Sequence, residues 1–90
     1  MTNSNGNSST EILMKIEDLF ADEIGPVAQI LCEESKQYWL EKVKKNGHKP
    51  SLRNIYLYIN HLALSIEDED SRKKFIDSVY SIESLQVLKS

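Results

Sequence analysis

Apolar residues recur every three or four positions along much of this chain, which is the spacing of an amphipathic α-helix. The first stripe, Ile12–Phe20, predicts a helix that begins near Ser9 and ends by Ile24. Gly25-Pro26 separates it from the next helix, because glycine tolerates the left-handed conformation after a helix and proline fits a first turn. The second helix is therefore predicted from this junction to Asn46-Gly47, where another stop occurs.

Two further stripes predict two more helices in the second half of the chain. Ser51 is a good N-cap for the third helix, whose apolar stripe extends to Ile66. The fourth helix is predicted from about Glu69 to Ser81. Residues 82–88 are too apolar for a loose tail, so they either lengthen this helix or form a short fifth one. The pattern thus predicts an all-α fold, a four-helix bundle with room for a short C-terminal fifth helix.

Length and charge limit the domain organisation and the classes of protein. Ninety residues allow one domain. Residues 1–8 are polar and lack an apolar anchor, so we expect a disordered tail followed by a single helical domain over residues 9–90. A formal charge of −3 argues against a protein that binds nucleic acid over its whole surface. No apolar run approaches the roughly 18 residues of a membrane span, no leader is evident, and cytoplasm is the expected location.

The third helix is apolar on more than one side. In a bundle of this size no helix can be fully surrounded, so part of that surface should face a partner. A protein partner or a second copy of the chain is therefore expected. Trp39 on the second helix fits either the core or a half-exposed contact. The predicted partner-binding residues are Trp39, Leu40, Tyr56, Leu57, Tyr58 and Leu64.

Cationic side chains cluster around the second turn. This basic patch consists of Lys42, Lys44, Lys45, Lys49 and Arg53, with His48 among them. Lysines suit the negative end of a helix dipole, so a solvated helix end accounts for the pattern. An acidic protein and a nucleic acid are the two alternatives for a ligand. A nucleic-acid-associated regulator using turn 42–53 is less expected, because no aromatic residue interleaves with the cations.

Catalytic chemistry is not indicated by the residue types. Cys32 lies on an apolar helix face, where burial makes a thiol unreactive. The chain has no metal-ligand spacing and no glycine-rich phosphate loop, so neither an enzyme nor a cofactor or metal is predicted. A phosphotransfer domain using His61 is a weaker alternative. The lysine that such domains place after the histidine is absent, and Leu64 stands there instead.

Three motifs occur in a recognisable order. They are Leu19…Ile24-Gly25-Pro26-Val27-Ala28…Leu31, then Leu62-Ala63…Ile66…Asp68, then Arg72…Phe75. This order resembles a small uncharacterised helical domain of bacteria, found at the ends of serine/threonine kinases and other signalling proteins and as short chains. The resemblance spans about residues 16–80 and implies a signalling context without catalytic residues, although the lysine-rich turn departs from it. We therefore expect a non-enzymatic protein–protein interaction module in bacterial signalling or regulation.

Overall fold

A computed structural model describes residues 4–82 and 85 of the chain, and these residues confirm the all-α prediction. Four α-helices are present in this part of the chain, and no strand occurs in it. The helices are α1 (Ser4–Ile24), α2 (Ala28–Lys45), α3 (Tyr56–Leu64) and α4 (Glu69–Tyr80), with a 3₁₀ turn at Gly25–Val27. Gly25 has φ +81°, the left-handed conformation that the sequence predicted at this junction.

Two helices begin elsewhere than the sequence predicts. The first helix begins at Ser4 rather than near Ser9, because adding residues to an existing helix needs no new nucleus. The prediction of a disordered tail concerns residues 1–8, of which 1–3 lie outside the described residues. The third helix begins at Tyr56, so Ser51 is not its N-cap. The option of a fifth helix falls mainly on residues 83–84 and 86–90, which also lie outside the described part.

Neighbouring helices run antiparallel, as residue pairs along their length demonstrate. Between α2 and α3, Ser35 meets His61 and Trp39 stacks on Tyr58, so later residues of one helix meet earlier residues of the other. The same reversal relates α1 to α4, because Glu23 pairs with Lys74 whereas the earlier Leu19 lies by the later Ser78. The rings of Phe20 and Phe75 lie 5.4 Å apart between these contacts. The α1–α2 hairpin is held on its flank by a 2.7 Å salt bridge between Glu17 and Lys36.

The core contains two side chains that the sequence analysis assigned to partner binding. Tyr58 is fully buried, so it cannot contact a partner without opening the core, and Trp39 is a core residue that is only 5% exposed. The assignment of Tyr58 to a binding surface was wrong, because the α2–α3 crossing turns its flank of α3 inward. The half-exposed role expected of Trp39 was also wrong, although the edge of its ring that stays accessible lines a pocket. Leu85 is also buried, which places residue 85 against the core beyond the end of α4.

The antiparallel arrangement gives the molecule two poles of opposite charge. At one end α1 and α3 finish while α2 and α4 begin; we call this the acidic pole. The acidic pole has eight carboxylates and three cations, Arg72, Lys73 and Lys74, so its net charge is negative. The carboxylates are Asp22, Glu23, Glu33, Glu34, Glu67, Asp68, Glu69 and Asp70. At the other end α2 finishes and the turn leads into α3; we call this the basic pole. The start of α1 lies at this end as well, so the basic pole has five cations and two carboxylates, Glu11 and Glu41. The cations are Lys42, Lys44, Lys45, Lys49 and Arg53.

Candidate functional site

Four of the six predicted partner-binding residues reach the surface, but they do not form one patch. Leu64 is 78% exposed, and Tyr56 and Leu40 are close to half exposed. Leu57 is partly buried and packs against the core. Leu40 and Tyr38 lie on opposite flanks of α2, since two residues turn a helix by about 200°. The structure therefore separates Leu64, near the acidic pole, from Leu40, which faces α1.

Leu64 is the most exposed large apolar side chain of the described residues. It occupies the last position of α3, on the outward side of the helix. Because α2 runs antiparallel to α3, the start of α2 lies at the same end of the molecule as Leu64. Val27 and Ile30 at this end are also more than half exposed. The carboxylates of residues 67–70 begin three residues after Leu64 and are all exposed. The acidic pole therefore presents an apolar tip with an anionic border.

An apolar pocket of about 290 Å³ opens on the other flank of α2. Its apolar walls come from three segments, and the aliphatic part of Lys36 and the small Ser51 complete it. Lys36 is the cation among the lining residues, and its ammonium pairs with Glu17. Lys49 precedes the lining residue Pro50 and Lys44 follows Leu40 by one helical turn, so two further cations lie next to the opening. The apolar lining residues are Leu13 of α1, Trp39 and Leu40 of α2, and Pro50, Leu52 and Ile55 of the segment before α3.

Asn54 fixes the wall of this pocket. Its Oδ1 accepts hydrogen bonds from Trp39 Nε1 at 2.8 Å and from the Ser51 amide at 2.9 Å. Its Nδ2 donates to the Lys49 carbonyl at 2.9 Å. One side chain thus ties the turn to the core indole and satisfies a buried donor. Sequence analysis missed Asn54; the signal available was its position three residues after Ser51, a spacing typical of a reciprocal turn.

The basic patch is exposed, as predicted, and part of it lines a groove of about 320 Å³. His48, Lys49 and Arg53 line this groove together with the half-exposed Tyr56 ring. Within the described chain none of the five patch cations forms an ion pair. An aromatic ring does therefore lie beside the cations, contrary to the sequence analysis, because the turn folds back toward the start of α3. Nucleic-acid binding by this turn stays a prediction.

His61 is held between two side chains of α2. Its Nδ1 lies 2.7 Å from Ser35 Oγ, and its ring stacks on Tyr38 with centroids 4.4 Å apart. Lys42 Nζ lies 5.8 Å from the Tyr38 ring centre, a weak cation–π contact. Ser35 itself is buried, so this Ser–His pair is not open to a substrate. The contacts account for His61 as a bridge between helices, and phosphotransfer at this residue stays a prediction.

Two nucleophile types are buried together in the core. Burial raises the pKa of the Cys32 thiol and keeps it in the unreactive protonated form. Burial likewise raises the pKa of Tyr58, whose hydroxyl lies beside that thiol but makes no hydrogen bond of acceptable geometry. Sulfur is a weak hydrogen-bonding partner, so the buried Tyr58 hydroxyl remains unsatisfied. In the described part of the chain, no group of three His, Cys, Asp or Glu could hold a metal ion.

Two polar side chains order the acidic pole. Asp68 caps α4, because its Oδ2 accepts the Ser71 amide at 2.8 Å, and this hydrogen bond holds the pKa of Asp68 below its usual value. Arg72 donates from Nε and Nη2 to the Ile66 carbonyl at 3.0 and 2.8 Å. The guanidinium therefore bonds the turn between α3 and α4. This contact fixes the segment that follows Leu64.

Comparison with known proteins assigns the chain to a family. Residues 11–86 match the model of a family described as a domain of unknown function, DUF8082. The chain is 31% identical over 72 residues to a protein of Aquifex aeolicus (strain VF5) described as an uncharacterized protein. That alignment covers 80% of this chain and 19% of the Aquifex protein, so the chain spans about a fifth of its relative's length. No solved structure matches the chain, and none of the described helices is long and apolar enough to cross a membrane. Since the family model covers most of its length, the chain belongs to the DUF8082 family.

Proposed function

We propose that this chain is a non-enzymatic protein-interaction module that serves bacterial signalling or regulation in the cytoplasm. The observation that carries the proposal is the exposure of Leu64, at 78%, at the acidic pole. Burying a leucine side chain is worth about 1.5–3 kcal/mol, which a binding partner can recover. Ile30 and Val27, exposed at the same end of the molecule, extend the apolar area that a partner can cover.

The surroundings of Leu64 define the chemistry of the partner. Exposed carboxylates from residues 67–70 and from Glu33 and Glu34 border the apolar tip. A partner that matches this border has an apolar pocket with cations at its rim, because opposite charges at an interface favour encounter and disfavour wrong partners. The signalling context rests on the resemblance of the Ile24–Ala28 junction and the later motifs. The match to one fifth of a longer Aquifex protein supports a module that also functions within larger chains.

Site-specific photo-crosslinking in the native cell tests the proposal. A photoreactive amino acid at position 64 is compared with the same amino acid at position 60, which is exposed on the same helix but one turn away. We expect position 64 to give a defined crosslinked protein whose attached peptide lines an apolar pocket with Lys or Arg at its rim. Equal labelling from both positions, or an attachment site without these features, contradicts the proposal.

A further inference from the structure

We propose that the partner is a second copy of this chain, and that copies associate head to tail, with Leu64 of one inserted into the apolar pocket of the next. This inference rests on the proposed function and names its partner. The chain itself carries the surface that the acidic pole requires. The pocket is apolar, has an opening bordered by cations, and lies toward the basic pole.

The dimensions of the two surfaces agree. The pocket volume of about 290 Å³ is at the small end of the ligand-binding range, about 300–1,000 Å³, and suits one or two side chains rather than a large ligand. Leu64 projects from the last position of α3, where no following turn of that helix covers it. The tip and the pocket are thus a protrusion and a cavity on the same molecule.

Charge favours contact between unlike poles. Bringing the acidic pole of one copy to the basic pole of another places the carboxylates of residues 67–70 beside Lys44 and Lys49. A two-fold contact between two acidic poles or two basic poles instead sets like charges against each other. The patch cations form no ion pair within the described chain, so they are available to a second copy.

The positions of the surfaces also exclude closure into a simple two-fold dimer. The pocket faces the α1 side of α2, whereas Leu64 lies on α3, which packs on the opposite flank of α2 at Tyr38. In a two-fold dimer, therefore, Leu64 of each copy cannot enter the pocket of the other copy at the same time. A heterologous contact of this kind leaves one free tip and one free pocket, so copies continue to add.

Sedimentation and light scattering on matched variants test the proposal. Leu64→Glu removes the tip, and Leu40→Glu places a carboxylate in the pocket. Met14→Glu is the control, because it places a carboxylate at an exposed apolar residue that belongs to neither surface. We expect the mass of the wild type and of Met14→Glu to rise with concentration beyond that of a dimer. Each of the other variants should bind itself about 10- to 100-fold more weakly and stay monomeric.

A mixture of Leu64→Glu and Leu40→Glu, the two variants that should not self-associate, gives the decisive result. Leu40→Glu retains a normal tip and Leu64→Glu retains a normal pocket, so together they should form a 1:1 dimer and nothing larger. High salt should weaken this dimer, because the charged borders are exposed. Circular dichroism confirms that each variant is folded, and Leu40→Gln replaces Leu40→Glu if the latter is not.

Three results overturn head-to-tail association: a monomeric wild type at about 1 mM, a mass that levels off at a dimer, or a mixture that stays monomeric. A monomeric wild type that still gives a defined crosslink from position 64 to another protein refutes this inference while leaving the proposed function intact. If the wild type neither associates with itself nor gives a defined crosslink from position 64, both this inference and the proposed function are refuted.

Discussion

Replacing Asn54 by alanine should destabilise the protein far more than its partial exposure suggests. The variant loses three hydrogen bonds, to Trp39 Nε1, the Ser51 amide and the Lys49 carbonyl. The indole of Trp39 is only 5% exposed, so its unpaired N–H costs about 1–3 kcal/mol. The two bonds in the exposed turn together add about 1 kcal/mol. We therefore expect Asn54→Ala to lower the free energy of unfolding by about 2–4 kcal/mol.

Urea unfolding followed by tryptophan fluorescence measures this loss, since Trp39 is the only tryptophan and contacts the altered site. With a typical m value of about 1–2 kcal/mol/M, the midpoint should fall by at least about 1 M. Asn60→Ala is the matched control, because Asn60 is exposed on α3 and alanine favours a helix. It should change the free energy by less than about 0.5 kcal/mol.

The reasoning is refuted if Asn54→Ala costs less than about 1 kcal/mol or no more than the control. In that case the turn before α3 is held by other contacts, and the pocket wall does not depend on Asn54. Asn54→Asp is a second test, because aspartate keeps the oxygen acceptors and lacks the donor to the Lys49 carbonyl. An intermediate loss is expected for that variant.

Further predictions concern the core and the acidic pole. Tyr58→Phe should leave the free energy of unfolding unchanged or raise it by up to about 1 kcal/mol, because the deleted hydroxyl is buried without a hydrogen bond. Burial raises the pKa of Tyr58, so above pH about 10 only the unfolded chain loses this proton. Wild-type stability, measured by urea unfolding, should then fall with pH more steeply than that of Tyr58→Phe, by up to about 1.4 kcal/mol per pH unit; equal slopes contradict the assignment. Arg72→Ala should cost about 1–2 kcal/mol in thermal unfolding, and Arg72→Lys should recover less than half, since lysine cannot donate the forked pair to the Ile66 carbonyl. Full recovery by lysine would show that charge alone matters there.

The helices were predictable because their signals are local. The spacing of Ile12, Ile16 and Phe20 identifies the buried face of α1, and all three are buried. The left-handed Gly25 and the capping role of Asp68 follow from the preferences of single residues. Such signals require no knowledge of which helices become neighbours.

The site could be predicted only in part, because exposure depends on how helices cross. Tyr58 and Leu64 both lie off the core stripe of α3 by sequence, yet Tyr58 is fully buried and Leu64 is 78% exposed. Their difference arises from the position of α2, which covers the Tyr58 flank through Trp39. The pocket combines α1, α2 and the turn, and no local pattern joins these three segments.

Two separated surfaces of this small domain, the Leu64 tip and the apolar pocket, fit each other in head-to-tail association. Nuclear magnetic resonance spectra recorded during dilution test it most directly, because each backbone amide reports its own environment. We predict that signals from residues around Leu64 and from residues around Leu40 and Leu52 shift together and give the same dissociation constant. Spectra that do not change with concentration, or shifts confined to one of the two surfaces, would contradict it.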